Sequence, residues 1–138
     1  MIDNSSDRKI DVFFYGLYMD PALLEQKGVT PRNPRGAKVE GYAIRIGQRV
    51  TLLRSVGKRA FGMVYSLTHA EIHSLYWGAG IDAYRAEPVI ANILGGGSVP
   101  VLCCILLEPP VSNEANPEYA DKLLTVMKYL ELPVEGVS

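Results

Sequence analysis

The chain has 138 residues, a length that suits one domain. With 48% hydrophobic and 21% charged residues it can build a core without disulfide or metal staples, which excludes bulk disorder. Fourteen Lys and Arg against fifteen Asp and Glu leave a formal charge of −1, too little excess to hold a phosphate backbone, so no nucleic-acid partner is expected.

Met1 to Lys9 is polar and lacks the apolar stretch of a secretory signal, and reads as a flexible segment ahead of a single domain over 10–134. No apolar run approaches the about 20 residues that a membrane-spanning helix needs, so a cytoplasmic protein with no membrane partner is expected. Val12, Phe13, Phe14 and Tyr15 form a run short enough for a buried strand, interrupted by Gly16. Asp20 and Pro21 then supply an N-cap and a first-turn proline. Leu23 and Leu24 give the helix its apolar side, and Gly28 closes it. Between strand and cap lie Tyr15, Gly16, Leu17, Tyr18 and Met19. The peptide amides of this connection are expected to lack ladder or helix partners. Two readings stand side by side: glycine permits an unusual backbone angle in a plain connection, or the amides and the following helix start bind an anionic or carbonyl oxygen.

From Lys38 to Leu53 the alternation around Tyr42, Ile44 and Ile46 breaks at Gly47 and resumes at Val50 and Leu52, as in two paired strands. A separate strand is expected at Phe61, Met63, Tyr65 and Leu67. Thr68 and Glu71 make a capping box for a short helix with Ile72, Leu75 and Tyr76 on one face, running to Gly78. Two strands, about Tyr84 to Leu94 and Val99 to Leu107, flank a Gly95-Gly96-Gly97-Ser98 turn, and Pro88 marks an edge or a bulge. Asn116 and Pro117 cap a last helix with Tyr119, Leu123, Val126, Met127 and Leu130 on one face, ended by Pro133. This order lacks βαβ alternation and predicts a mixed α+β domain.

Other signals read blandly. Cys103 and Cys104 are adjacent in an apolar run, as packed thiols in a reducing compartment. His69 and His73 have a metal-binding spacing but no evident third ligand, so no metal is assigned. The triple glycine lacks the Lys-Ser/Thr pair of a phosphate loop. Arg49, Arg54, Lys58 and Arg59 form a basic cluster, read either as a solvated hairpin rim or as an anion site. No G-x-S-x-G occurs.

Four features together resemble the gamma-glutamylcyclotransferase-like family, also described as the butirosin-maturation-type fold. They are Phe14-Tyr15-Gly16-Leu17-Tyr18-Met19 before Asp20-Pro21-Ala22-Leu23-Leu24, the Gly62-Met63-Val64-Tyr65-Ser66-Leu67 strand, Leu75 through Tyr84, and Pro117, Tyr119 and Leu132-Pro133 around the last helix. The resemblance spans roughly Val12 to Pro133. It implies a small mixed β-barrel-like sheet with flanking helices, a cavity where the Tyr-Gly turn lies, and no cofactor. In active family members the turn holds a gamma-glutamyl group and a glutamate takes a proton from the substrate's alpha-ammonium. The freed amine attacks its own gamma-carbonyl, giving 5-oxoproline and a released amine. Ring closure of this kind gains from proximity once a carboxylate has removed the proton.

The sequence departs from the family pattern in two places. Ala79 stands where the catalytic glutamate is expected, and Leu17 and Tyr18 replace small hydroxyl or amide residues. Two expectations follow from the resemblance. In one, the protein binds a small carboxylate- or amide-bearing molecule through Tyr15, Gly16, Leu17, Tyr18, Met19 and Tyr84 without the usual turnover. In the other, a relocated carboxylate, Asp82 or, further along the next strand, Glu87, supplies the base.

Overall fold

A computed structural model describes residues 8–76, 84–111, 113–134 and 137. The elements, in chain order, are β1 (Lys9–Phe14), a 3-10 turn (Leu17–Met19), α1 (Pro21–Gln26), β2 (Arg32–Ile46), β3 (Val50–Thr68), α2 (His69–Tyr76), β4 (Tyr84–Ile93), β5 (Ser98–Leu106) and α3 (Pro117–Tyr129). The strands close into a barrel in the order β1-β3-β2-β4-β5. Closure is made by β1 lying parallel to β5, with Val12 opposite Leu102, while the other pairings between these five strands are antiparallel. A closed sheet removes the open edges that would otherwise pair with another chain. This is the mixed α+β barrel that the sequence predicts.

The C-terminal half of β1 and the Ala60–Tyr65 stretch of β3 are buried on both faces, one side filling the barrel and the other covered by the flanking elements. Val12, Phe13, Phe14, Val64, Tyr65 and Leu67 are buried, and Leu123 and Met127 of α3 join the same core. The three helix starts form as their cap residues dictate. The Asp20 side chain accepts from the Ala22 N–H and the Asn116 side chain accepts from the Tyr119 N–H, each with proline in the first turn. Thr68 and Glu71 bond reciprocally, at 2.9 and 3.1 Å.

Three expectations are corrected. The strand ending near Leu53 and the strand beginning near Phe61 are one element, the 19-residue β3. The polar stretch between them looks like a break in sequence because its register with β2 jumps. Glu40 faces Arg59 and Tyr42 faces Arg54, so Ser55 to Lys58 lie opposite Gly41 alone. Gly41 and Gly57 take left-handed φ values of 82° and 83° that allow this wide bulge. The barrel also starts earlier than expected, since Lys9 already pairs with Thr68. Finally, α3 ends at Tyr129 with Glu131 left-handed at φ 59°, ahead of Pro133. Pro88 lies in the part of β4 that pairs with β5 alone, where a missing N–H is tolerated. Gly78 lies outside the described residues.

Candidate functional site

The C-terminal end of β1 runs into a cavity of about 430 Å³. Tyr15, Gly16, Leu17 and Tyr18 form one wall, Gln48, Arg49 and Val50 from the β2–β3 turn another, and Tyr84, Tyr119, Leu75 and Lys27 are among the residues that line the rest. The elements meet here because the barrel brings the end of β1 beside the start of β3, and α3 lays its first turn across both.

Gly16 is required by crowding. Its φ of −105° and ψ of −158° suit any residue. A Cβ there, however, would stand 2.5 Å from Tyr119 Oη and 2.9 Å from Val50 Cγ1. The expectation that glycine serves an unusual backbone angle is therefore corrected. The expectation of free turn amides is also corrected in part. The Leu17 N–H donates to Tyr119 Oη at 2.9 Å, and the Met19 and Asp20 N–H groups donate to the Gly16 and Leu17 carbonyls at 3.0 Å. These three amides are engaged by the protein itself.

Four tyrosines surround the space. Tyr15 Oη donates to the Cys104 carbonyl, and Tyr84 Oη donates to the Val50 carbonyl at 2.9 Å. Burial pushes all four phenols above their ordinary range, Tyr119 to about 12, Tyr15 further still, and Tyr18 and Tyr84 in the same direction. At neutral pH they are neutral hydroxyls that donate or accept hydrogen bonds and cannot serve as bases. Tyr119 accepts from Leu17 and so keeps its own proton for another partner. The charged side chains in the described lining are Lys27 and Arg49; none of the described lining residues carries a carboxylate.

Tyr15, Gly16, Leu17, Tyr18 and Tyr84 thus meet at one cavity. Met19 does not join them. It is fully buried in the core, where Tyr65 Oη donates to its carbonyl at 2.6 Å, so its expected place among the ligand-contacting residues is corrected. Asp82, and Ala79 with it, lies outside the described residues. Glu87 sits on β4, paired with Arg85, and does not line the cavity. The basic cluster is divided: Arg49 lines the cavity, Arg54 lies over the Tyr42 ring at 5.6 Å, and Lys58 and Arg59 are exposed on β3. Cys103 and Cys104 are buried thiols outside any disulfide, and burial raises the Cys103 thiol well above its ordinary range. Among the described residues no group of three metal-ligating side chains occurs, and no helix is long and apolar enough to cross a membrane.

Sequence reasoning missed Lys27, Gln48 and Tyr119 as lining residues. For Tyr119 a signal existed: a hydroxyl-bearing ring on the apolar face of the last helix, one turn after its cap, needs a buried partner.

No family model and no curated protein matches the sequence. Solved structures do. One described as gamma-glutamyl cyclotransferase superposes with a TM-score of 0.74 at 17% identity, covering 93% of this chain and 83% of that one. The fold is that of the gamma-glutamylcyclotransferase-like proteins. YkqA from Bacillus subtilis gives a TM-score of 0.65 at 24% identity, covering 93% of this chain and 56% of its own. An uncharacterized Homo sapiens protein gives 0.71 at 17% identity, covering 92% and 83%. The mixed barrel with flanking helices is common to them.

Proposed function

We propose that this gamma-glutamylcyclotransferase-like domain binds a small carboxylate- or amide-bearing molecule in the cavity at the Gly16 turn. The observation that carries the reading is the composition of the described lining: cationic Lys27 and Arg49 and the Tyr119 hydroxyl set into apolar and aromatic walls. A cavity of about 430 Å³ falls within the range of small-molecule sites, which are mostly apolar with a few polar groups that fix orientation. A guanidinium recognises a carboxylate through paired N–H donors, and a neutral phenol donates to a carbonyl or carboxylate oxygen.

Cyclisation of a gamma-glutamyl amine needs a base for the alpha-ammonium. Ala79 stands where the resemblance places that base, and the tyrosines of the cavity are protonated at neutral pH, so binding without turnover is the primary reading. The fold supports a second one, in which Asp82 supplies the carboxylate and the products are 5-oxoproline and an amine. Calorimetric titration with gamma-glutamyl-methylamide and with 5-oxoproline tests the binding reading. Saturable binding that Arg49→Ala weakens is expected; absence of binding by both compounds overturns it. Release of 5-oxoproline that Asp82→Asn abolishes would establish the second reading, and Ala79→Glu is expected to introduce slow cyclisation into a binding-only pocket.

A further inference from the structure

Next to the cavity at the Gly16 turn is a second one of about 420 Å³, and the two share Gln48 and Arg49 in their linings. The second has a different chemistry. Its walls are the β2–β3 turn, the end of β5 and the segment after it, with Leu106, Leu107, Pro109 and Pro110 in the apolar part and Glu108, Glu114 and the shared Arg49 as the charged part.

The shared turn is pinned to that segment. Glu114 accepts from the Gln48 N–H at 3.1 Å and from the Val111 N–H at 3.0 Å, and Arg45 Nη2 donates to the Val111 and Glu114 carbonyls at 2.9 and 2.8 Å. Gly47 lets the two segments close up, since a Cβ there would stand 2.7 Å from Pro110 Cβ. Glu114 is thereby occupied in holding the wall, whereas Glu108 is exposed. Leu107 keeps 52% of its surface accessible beside it. The first cavity thus sets cations and a phenol into apolar and aromatic walls, and the second adds carboxylates beside its own apolar surface, with Arg49 common to both.

This charge division makes the pair of cavities complementary to one elongated molecule. Resting on the binding reading above, we propose that the ligand has two parts: an acid- or amide-bearing head at the Gly16 turn, and an apolar tail ending in an amine that crosses Gln48 and Arg49 to lie against Leu107 and Glu108. A tail ending in a carboxylate meets like charge at Glu108 and is disfavoured. Exposed charge pairs contribute about 0.2–1 kcal/mol each, so attraction for one tail and repulsion of the other separate them by about fivefold in Kd.

The experiment titrates the protein with four probes that share a gamma-glutamyl head: the methylamide, and the amides of butylamine, diaminobutane and aminobutyrate. The butylamine and diaminobutane amides should bind more tightly than the methylamide. The diaminobutane amide should bind about fivefold more tightly than the aminobutyrate amide at low salt, with the ratio shrinking as salt is added. Glu108→Gln should bring that ratio towards one and Glu108→Lys should invert it. The inference is overturned, with the head site left standing, if the methylamide binds and the three longer probes bind no better and equally among themselves. It is also overturned if the tail preference exists but persists in Glu108→Lys. Failure of every probe to bind overturns the head site and this inference together. The salt dependence in the unmodified protein provides a readout that does not require either variant to fold.

Discussion

At the Lys9 end of β1, Glu71 accepts from the Thr68 and Thr30 N–H groups at 2.9 Å and pairs with Arg32 at 2.7 Å. Close by, Asp11 accepts from Ser66 Oγ at 2.8 Å and pairs with Arg35 at 2.7 Å. At the Phe14 end of the same strand, Lys27, Arg49 and the Tyr119 hydroxyl instead surround about 430 Å³ of space. One end satisfies its polar groups within the protein and ties β1, β2, β3 and α2 together. The other arranges donors around a cavity. The contrast teaches where a small barrel places stability and where it leaves room for a ligand: the half-buried ion pairs are charges with several hydrogen bonds each, and the cavity is edged by two cations and a phenol hydroxyl.

Substitutions at the two ends can break or sharpen this contrast. The largest effect is expected from Gly16→Ala, whose Cβ would force Tyr119 and Val50 to move. It should lower stability by about 3 kcal/mol and abolish binding of gamma-glutamyl-methylamide, as read by denaturant unfolding and calorimetry. Next comes Glu71→Gln at the closed end, expected to cost about 2 kcal/mol, because a neutral amide presents donors to Arg32 and loses the charge-assisted bonds.

The pH dependence separates this second change from a packing defect. Burial raises the Glu71 carboxyl, but the bonds from Arg32, Thr30 and Thr68 outweigh it and hold the carboxyl down at about 2, against 4.5 for the ordinary group. Its stabilisation is therefore complete above about pH 4.5 and is lost as pH falls towards 2. The stability gap between the natural protein and Glu71→Gln should narrow over that interval; a constant gap would assign the loss to packing.

A smaller effect is expected from Arg49→Ala, about tenfold weaker binding of gamma-glutamyl-methylamide, equivalent to about 1.4 kcal/mol. The smallest is Tyr119→Phe, which removes the acceptor for the Leu17 N–H and should cost about 1 kcal/mol in denaturant unfolding. If Tyr119→Phe weakened ligand binding more than it lowered stability, the hydroxyl would be a direct ligand contact as well as a brace for the turn.

Local chemistry was legible along the chain. Asp20-Pro21, Thr68 with Glu71, and Asn116-Pro117 start helices where their side chains reach N–H groups two or three residues away, and a nearby partner needs no knowledge of the fold. The Tyr15 to Tyr18 turn was legible as a place where a strand stops without a helix yet begun. Long strand β3 was not, because the residues opposite Gly41 follow a bulge whose register is set by β2. Tyr119 and Leu17 are 102 positions apart, and Arg32 and Glu71 are 39 apart, so neither pairing leaves a local pattern.

Short-range spacing alone therefore determined the element types, the caps, the mixed α+β class and the glycine turn that ends β1. Only the tertiary structure decided that Met19 faces the core while Leu17 reaches a cavity, that Gly16 yields its space to Tyr119, and that Arg49 stands between two differently charged chambers. The reason is physical: a cap or a turn is a balance among neighbours in the chain. A cavity is the space left between elements, and barrel closure brings together walls that the chain keeps far apart.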